Sequence, residues 1–218
     1  MAYVSENYRN PESYRLPATW RPANASSVGY AAFALTFWMF CMIKASWFDT
    51  SQVTLVMMLA VVLGGTAMAL AGLMAWFRGR AHDSCLFLAF AAFWWTWALV
   101  VHDVNTGAIA PSANFYGWYF AVWAVVAFFL FIAAFRAGTG RVLFDLALWM
   151  SLIWFAIGEW SGVGGLTILG GYLGLIASVL AIYLAGAGVI NATFGRILLP
   201  TGEPRVVEPV AVETHREI

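Results

Sequence analysis

The sequence predicts an all-α integral membrane protein of six transmembrane helices, on three observations. Hydrophobic residues make up 62% of the 218 and charged residues only 10%, whereas ordinary soluble domains are about a quarter charged. Mean hydropathy is +0.79. The apolar residues fall into six runs, each long enough as a helix to cross a hydrocarbon core of about 30 Å, and the arginines gather in alternate connections.

Residues 1–23 read as a polar N-terminal arm, in which Pro11, Pro17 and Pro22 forbid a continuous helix. The arm lacks the apolar core of a signal peptide, so the first spanning helix is expected to serve as the signal. Residues 24–200 read as the six-helix domain and residues 201–218 as a disordered tail. Asn24, Ser26 and Ser27 supply capping side chains ahead of the first run, 28–48, and its one charge, Lys44, is placed to snorkel outward. Asp49, Thr50 and Ser51 turn the chain into 53–77, which is free of charge. The third run, 84–101, is crowded with aromatic residues; 115–135 and 142–158 follow. Glu159 to Gly165 then connect to the last run, whose core is 170–194.

Arg9, Arg15 and Arg21 precede the first run, Arg78 and Arg80 follow the second, Arg136 and Arg141 follow the fourth, and Arg196 and Arg205 follow the sixth. Six crossings put them all on one side, and the positive-inside rule makes that side the cytoplasm, both termini included. Trp47, Trp76, Trp118 and Trp160 fall near run ends, as an interfacial belt requires. Gly170, Gly174 and Ser178 recur four apart in the last run, and Gly64, Gly65 and Gly72 mark the second. Such faces allow close helix approach, within a subunit or between subunits.

No catalytic constellation, cofactor motif or metal-ligand spacing appears, so the chain does not read as an enzyme. Zero formal net charge gives no footing for nucleic-acid binding. Cys41 and Cys85 lie inside apolar runs and read as small buried hydrophobes. The stretch GAGVINATFG at 186–195 echoes a dinucleotide fingerprint, but no strand precedes it and packing glycines are the better account. Asn24 and Asn191 begin glycosylation-type triplets on the inferred cytoplasmic side. The pairs His82–Asp83 and His102–Asp103 sit at opposite ends of the third run, read as solvated interfacial groups, and cannot share one metal. Arg141 and Asp145 are spaced for an i,i+4 ion pair at a helix start. Glu159, placed just past the fifth run near the outer surface, is the candidate for proton coupling, against a wet interfacial carboxylate.

Four stretches carry a resemblance. AIYLAGAGVINATFGRILLPTGE at 181–203 resembles the signature end of the acetate–succinate transporter (succinate–acetate permease) family; APSANFYGWYFAVWAV at 110–125, GGTAMALAGLMAW at 64–76 and AFWWT at 92–96 resemble its fourth, second and third helices. The resemblance spans roughly residues 23–203 and implies a homohexamer in which each subunit has its own pore for small monocarboxylates, acetate above all. It also implies a narrow apolar constriction at Phe33, Phe90 and either Leu148 or Met150, with Thr36 facing the pore and Asn24, Ser26 and Ser27 at its mouth. The chain departs from the family pattern too. Both prolines of the helix-one motif are absent from Asn24-Ala25-Ser26-Ser27-Val28-Gly29-Tyr30, and polar family positions fall at Met68, near Ala75 and at Gly188.

Three functions follow as expectations: a passive or proton-coupled pathway for acetate-like anions, a non-transporting membrane subunit that kept the fold and lost its polar lining, and a channel for a small neutral solute. The only partners implied are the carboxylate, the lipid bilayer and further copies of the chain.

Overall fold

All six runs fold as helices long and apolar enough to cross a membrane in the computed structural model, which describes residues 25–203. They are α1 (Ser26–Lys44), α2 (Thr50–Trp76), α3 (Ala81–Asn105), α4 (Ala113–Ala134), α5 (Thr139–Ser161) and α6 (Gly164–Phe194). The arm expected over 1–23, Asn24 and the tail beyond Glu203 lie outside the described residues.

Local chemistry sets the helix ends. Asp49 Oδ1 accepts from the Ser51 N–H at 2.8 Å, opening α2 through a short 3₁₀ turn. Ser112 Oγ likewise accepts from the Phe115 N–H ahead of α4. Gly162 and Gly195 stop α5 and α6 in the left-handed conformation that a side chain disfavours. At α1 the expected capping does not occur. Ala25 occupies the cap position without a side-chain bond, and Ser26 and Ser27 belong to the first turn. Ser26 turns its hydroxyl to Asp83 on α3 instead.

Helix α1 runs through the middle of the bundle, against α6 on one side and α2 and α3 on the other, while α5 packs between α4 and α6. Close approach depends on the small residues. The Gly171 Cα faces the backbone of Ala45 and Lys44, Gly174 faces Cys41, and Gly170 faces Phe155. Within α2, the stretch Ala60–Ala67 is π-helical and sets Gly64 under the Trp94 ring and Gly65 under Trp95. Gly72 receives Leu88. Gly64, Gly65 and Gly72 of α2 and Gly170, Gly171 and Gly174 of α6 are thus used inside the protomer. Cys41 is buried as expected, whereas Cys85 is exposed because it points away from the bundle.

Both ends of the described chain lie on one face, here called proximal; the α1–α2 and α5–α6 turns lie on the distal face. Past Pro200, where the tail is expected to begin, Thr201–Glu203 fold back onto α5 instead: the Gly140 N–H donates to the Thr201 carbonyl at 3.0 Å. Asn191 builds this return. Its Oδ1 accepts from the Leu198 and Leu199 N–H groups at 2.8 and 2.9 Å, and its Nδ2 donates to the Leu199 carbonyl at 2.7 Å.

Because the α1–α6 contact is backbone on backbone at Gly171, Gly171→Ala should cost about 1–3 kcal/mol, as overpacking does. Gly186→Ala, with open space around it, should cost nothing. Thermal unfolding in detergent compares them, and equal midpoints would contradict this packing.

Candidate functional site

Four aromatic residues of α1 recur at three- and four-residue spacing, Tyr30, Phe33, Phe37 and Phe40, and so share one face of the helix. All four are buried, none more than 3% exposed. Tyr30 meets Phe87 of α3 and Phe144 of α5 edge-on at 5.0 and 5.5 Å. Phe33 meets Phe90 and Phe144 at 5.7 and 5.1 Å, and Phe37 meets Trp94 at 6.2 Å. Phe40 closes the column against Trp94, Trp97 and Phe155 at 5.8, 5.4 and 5.7 Å. Edge-to-face pairs of this kind each contribute about 0.5–1.5 kcal/mol beyond area burial. The hydroxyls at this depth are spent on backbone: Thr36 donates to the Ala32 carbonyl, Ser151 to Gly170 and Ser178 to Gly174. Trp94 Nε1 differs, being buried with no hydrogen-bond partner.

A cavity of about 450 Å³ opens at the proximal end of this column, lined by Ser26, Ser27, Tyr30 and Arg141, with Gly188 and Asn191 on its α6 wall and Thr201–Glu203 across its mouth. Gly188 lets α6 close on the Ser27 hydroxyl. Arg141 is buried and holds partners at Nε and Nη1. Its Nε donates to Asp83 Oδ1 at 3.1 Å and to the Tyr30 hydroxyl at 3.2 Å, and its Nη1 donates to Glu203 at 2.6 Å and to the Ala137 carbonyl at 2.7 Å. Asp83 also accepts from Ser26 Oγ at 2.6 Å and pairs with Arg80 at 3.0 Å. Beside it, His82 places Nε2 2.6 Å from Asp145 Oδ2 and Nδ1 3.3 Å from Asp83 Oδ1. Asp83 and Asp145 are 1% and 0% exposed, and such burial is tolerable only for charges that are paired and hydrogen-bonded.

Two sequence expectations are corrected here. His82 and Asp83 are not a solvated pair: α3 begins at Ala81, ahead of its apolar run, and carries both side chains into the bundle. Arg141 and Asp145 do not pair with each other; Arg141 takes Asp83 and Glu203, and Asp145 takes His82.

The distal end has a second cavity, of about 460 Å³, whose lining includes Phe40, Lys44, Trp97, Phe120 and Glu159. Lys44 does not snorkel outward. Its ammonium lies over the rings of Phe40, Phe120 and Phe155 at 5.8, 5.1 and 5.6 Å and pairs with Glu159 at 3.0 Å. Glu159 belongs to the last turn of α5, not to the connection after it. The two cavities share no lining residue. Each has a cation at its inner wall, and the buried rings of Phe33, Phe37, Phe90 and Trp94 lie between them.

Of the residues singled out in the sequence, Ser26 and Ser27 line the proximal cavity, Phe33 and Phe90 touch within the column, and Thr36 is buried beside it. Leu148 is fully buried in the same core, whereas Met150 is half-buried and outside it. Asn24 lies outside the described residues. Met68 and Ala75 are buried among apolar neighbours. Sequence reasoning missed Tyr30, Phe37 and Phe40, although their 3-4-3 spacing with Phe33 is a readable signal. It also missed the cluster of His82, Asp83, Arg141, Asp145 and Glu203, whose members are far apart in the chain.

An occluded ring column between two cation-bearing vestibules defines a polytopic membrane protein of the transporter and channel class, not an enzyme. The chain belongs to the GPR1/FUN34/yaaH family, whose model matches residues 6–203. It is 31% identical over 186 residues to the succinate-acetate/proton symporter SatP of Escherichia coli, across 83% of this chain and 96% of that protein. It is 28% identical over 209 residues to an uncharacterized protein of Methanothermobacter thermautotrophicus, across 92% of this chain and all of that one. The solved structure of the bacterial acetate channel SatP superposes with a TM-score of 0.79 at 27% identity, covering 84% of this chain and 100% of that one. The chain is thus a multi-pass protein of the inner or plasma membrane.

Asp83→Ala strips Arg141 and Ser26 of their shared acceptor, which should cost about 3–5 kcal/mol, as breaking a buried pair does. An unchanged unfolding midpoint in detergent would contradict the network.

Proposed function

We propose that the chain conducts acetate and similar small monocarboxylates, with succinate a further candidate, along a path through each protomer. The observation that carries this reading is the pair of vestibules, each with a cation at its inner wall, on either side of a column of rings. The names of the relatives support it: one is a succinate-acetate/proton symporter and another an acetate channel.

The physics of an anion gives each residue a part. Moving a bare carboxylate into hydrocarbon is prohibitively costly, so water must be replaced by donors. On the proximal side these are Arg141, the hydroxyls of Ser26 and Ser27, and the positive end of the α1 dipole. In the column the ring edges of Phe33 and Phe90 face the passing group while their faces exclude bulky solutes. Leu148 takes the third place in this constriction in preference to Met150, because it is the buried one of the two. The unpartnered Trp94 Nε1 adds a donor at mid-depth, and Thr36, whose O–H is held by the Ala32 carbonyl, faces the path beside it. On the distal side Lys44, steadied by Glu159, receives the anion. The arginine bias supports a cytoplasmic proximal face carrying both termini. Assembly as a homohexamer is supported by family likeness alone, and cross-linking in native membranes tests it.

Uptake of radiolabelled acetate into proteoliposomes, compared with empty vesicles, tests the reading. Phe90→Ala should raise uptake severalfold and admit longer acids, since lowering the barrier by about 1.4 kcal/mol is worth tenfold in rate. No uptake above empty vesicles for any short carboxylate would favour the non-transporting subunit.

A further inference from the structure

Two arginines, Arg80 and Arg141, meet Asp83 and Glu203 around the proximal vestibule, and a third carboxylate, Asp145, meets His82. His82 lies between two of those acids, with each ring nitrogen turned to a carboxylate oxygen. A neutral imidazole has one N–H and one lone pair, so it would set that lone pair against a carboxylate. Either His82 carries both protons or one of the acids carries the second. In both cases the trio holds one proton more than a neutral histidine and two carboxylates would, and that proton balances the charge of the cluster. Asp145 Oδ1 is buried with no hydrogen-bond partner, leaving an acceptor open within the trio.

We propose that Asp145, His82 and Asp83 form a proton-binding site that protonates the carboxylate held at Arg141, so that the substrate crosses the ring column as the neutral acid. The proposal rests on the transport reading and deepens it. The groups facing the trio are Ser26 and Tyr30 of α1, Arg80 at the start of α3, Arg141 of α5 and Glu203 of the returning segment. A cavity of about 330 Å³ lined by Arg80, His82, Asp83, Arg136, Arg141 and Glu203 gives the site its own approach from the proximal side.

The arriving anion competes with Asp83 and Glu203 for the Arg141 guanidinium. As Arg141 leaves Asp83, the Nδ1 proton of His82 passes to Asp83. The carboxyl turns to carry that proton from Oδ1 to Ser26 Oγ, which lies 2.6 Å from its other oxygen, as the Ser26 O–H turns from Asp83 and gives its own proton to the substrate. One O–H bond forms on the carboxylate, one N–H bond on His82 breaks, and Ser26 and Asp83 end as they began. His82 takes its next proton from water in the cavity beside it. Each carboxylate thus crosses with one proton, and no net charge crosses the apolar column, where charge is least tolerated.

The test is initial uptake of radiolabelled acetate into proteoliposomes above the empty-vesicle rate, with an imposed inward acid gradient and, separately, a potassium–valinomycin potential. The wild-type protein should be stimulated about fivefold or more by the gradient, the low end of ordinary coupling between two ligands, and be indifferent to the potential. His82→Gln and Asp145→Asn should each lose the stimulation and become sensitive to the potential, while Glu159→Gln keeps the stimulation ratio whatever its absolute rate. Size-exclusion profiles identify any variant that fails to fold, and the wild-type arm alone still decides the electroneutrality. Wild-type uptake driven by the potential and unmoved by the gradient would overturn the proton site and leave the transport reading standing. So would loss of stimulation in Glu159→Gln with His82→Gln unaffected. Absence of wild-type uptake defeats the transport reading itself.

Discussion

Charge cannot stay unpaired in hydrocarbon, and that constraint orders this bundle. The cations at the two vestibules are held by carboxylates, Arg141 by Asp83 and Glu203 on the proximal side and Lys44 by Glu159 on the distal side. The cations also lie over the terminal rings of the column, Arg141 over Tyr30 at 6.0 Å and Lys44 over Phe40. Between these poles the interior is aromatic and aliphatic, and its hydroxyls donate to nearby backbone carbonyls. Polarity is confined to two vestibules because only there can paired charges and water share the cost of solvation.

The rings can stack on the axis only because glycine brings the helices close. In lipid, apolar burial does not draw helices together, so contact area and hydrogen bonds must do so. Gly171 and Gly174 seat α6 on α1, and the π-helical turn of α2 sets Gly64 beneath Trp94. The return of the chain through Asn191 completes the proximal vestibule by carrying Glu203 to Arg141. The most specific family stretch, 181–203, thereby builds a wall of that cavity.

The six helices were legible because hydropathy reports which segments meet lipid, and the order of the runs leaves no ambiguity. Helix ends were less so: α3 begins at Ala81, where His82 and Asp83 find partners inside the bundle, and α6 begins at Gly164, ahead of its expected core. Phe33 and Phe90 came from family likeness, although the Tyr30, Phe33, Phe37 and Phe40 stripe could have been read from spacing alone. The His82–Asp83–Arg141–Asp145 cluster was not legible. Local reasoning pairs Arg141 with Asp145, four residues on; the fold pairs it with Asp83, 58 residues earlier. The small-residue stripes were recognised, but sequence alone does not distinguish a seam within a protomer from one between protomers.

The central claim is that water reaches both vestibules but not the rings between them. Single cysteines placed by Ser27→Cys, Phe37→Cys and Lys44→Cys, with Cys41 and Cys85 replaced, report this through labelling by a membrane-impermeant thiol reagent applied from each side in turn. The account predicts reaction at 27 from one side only, at 44 from the other only, and none at 37 in the absence of substrate. Labelling at 37 from both sides would show a continuous aqueous pore and contradict it.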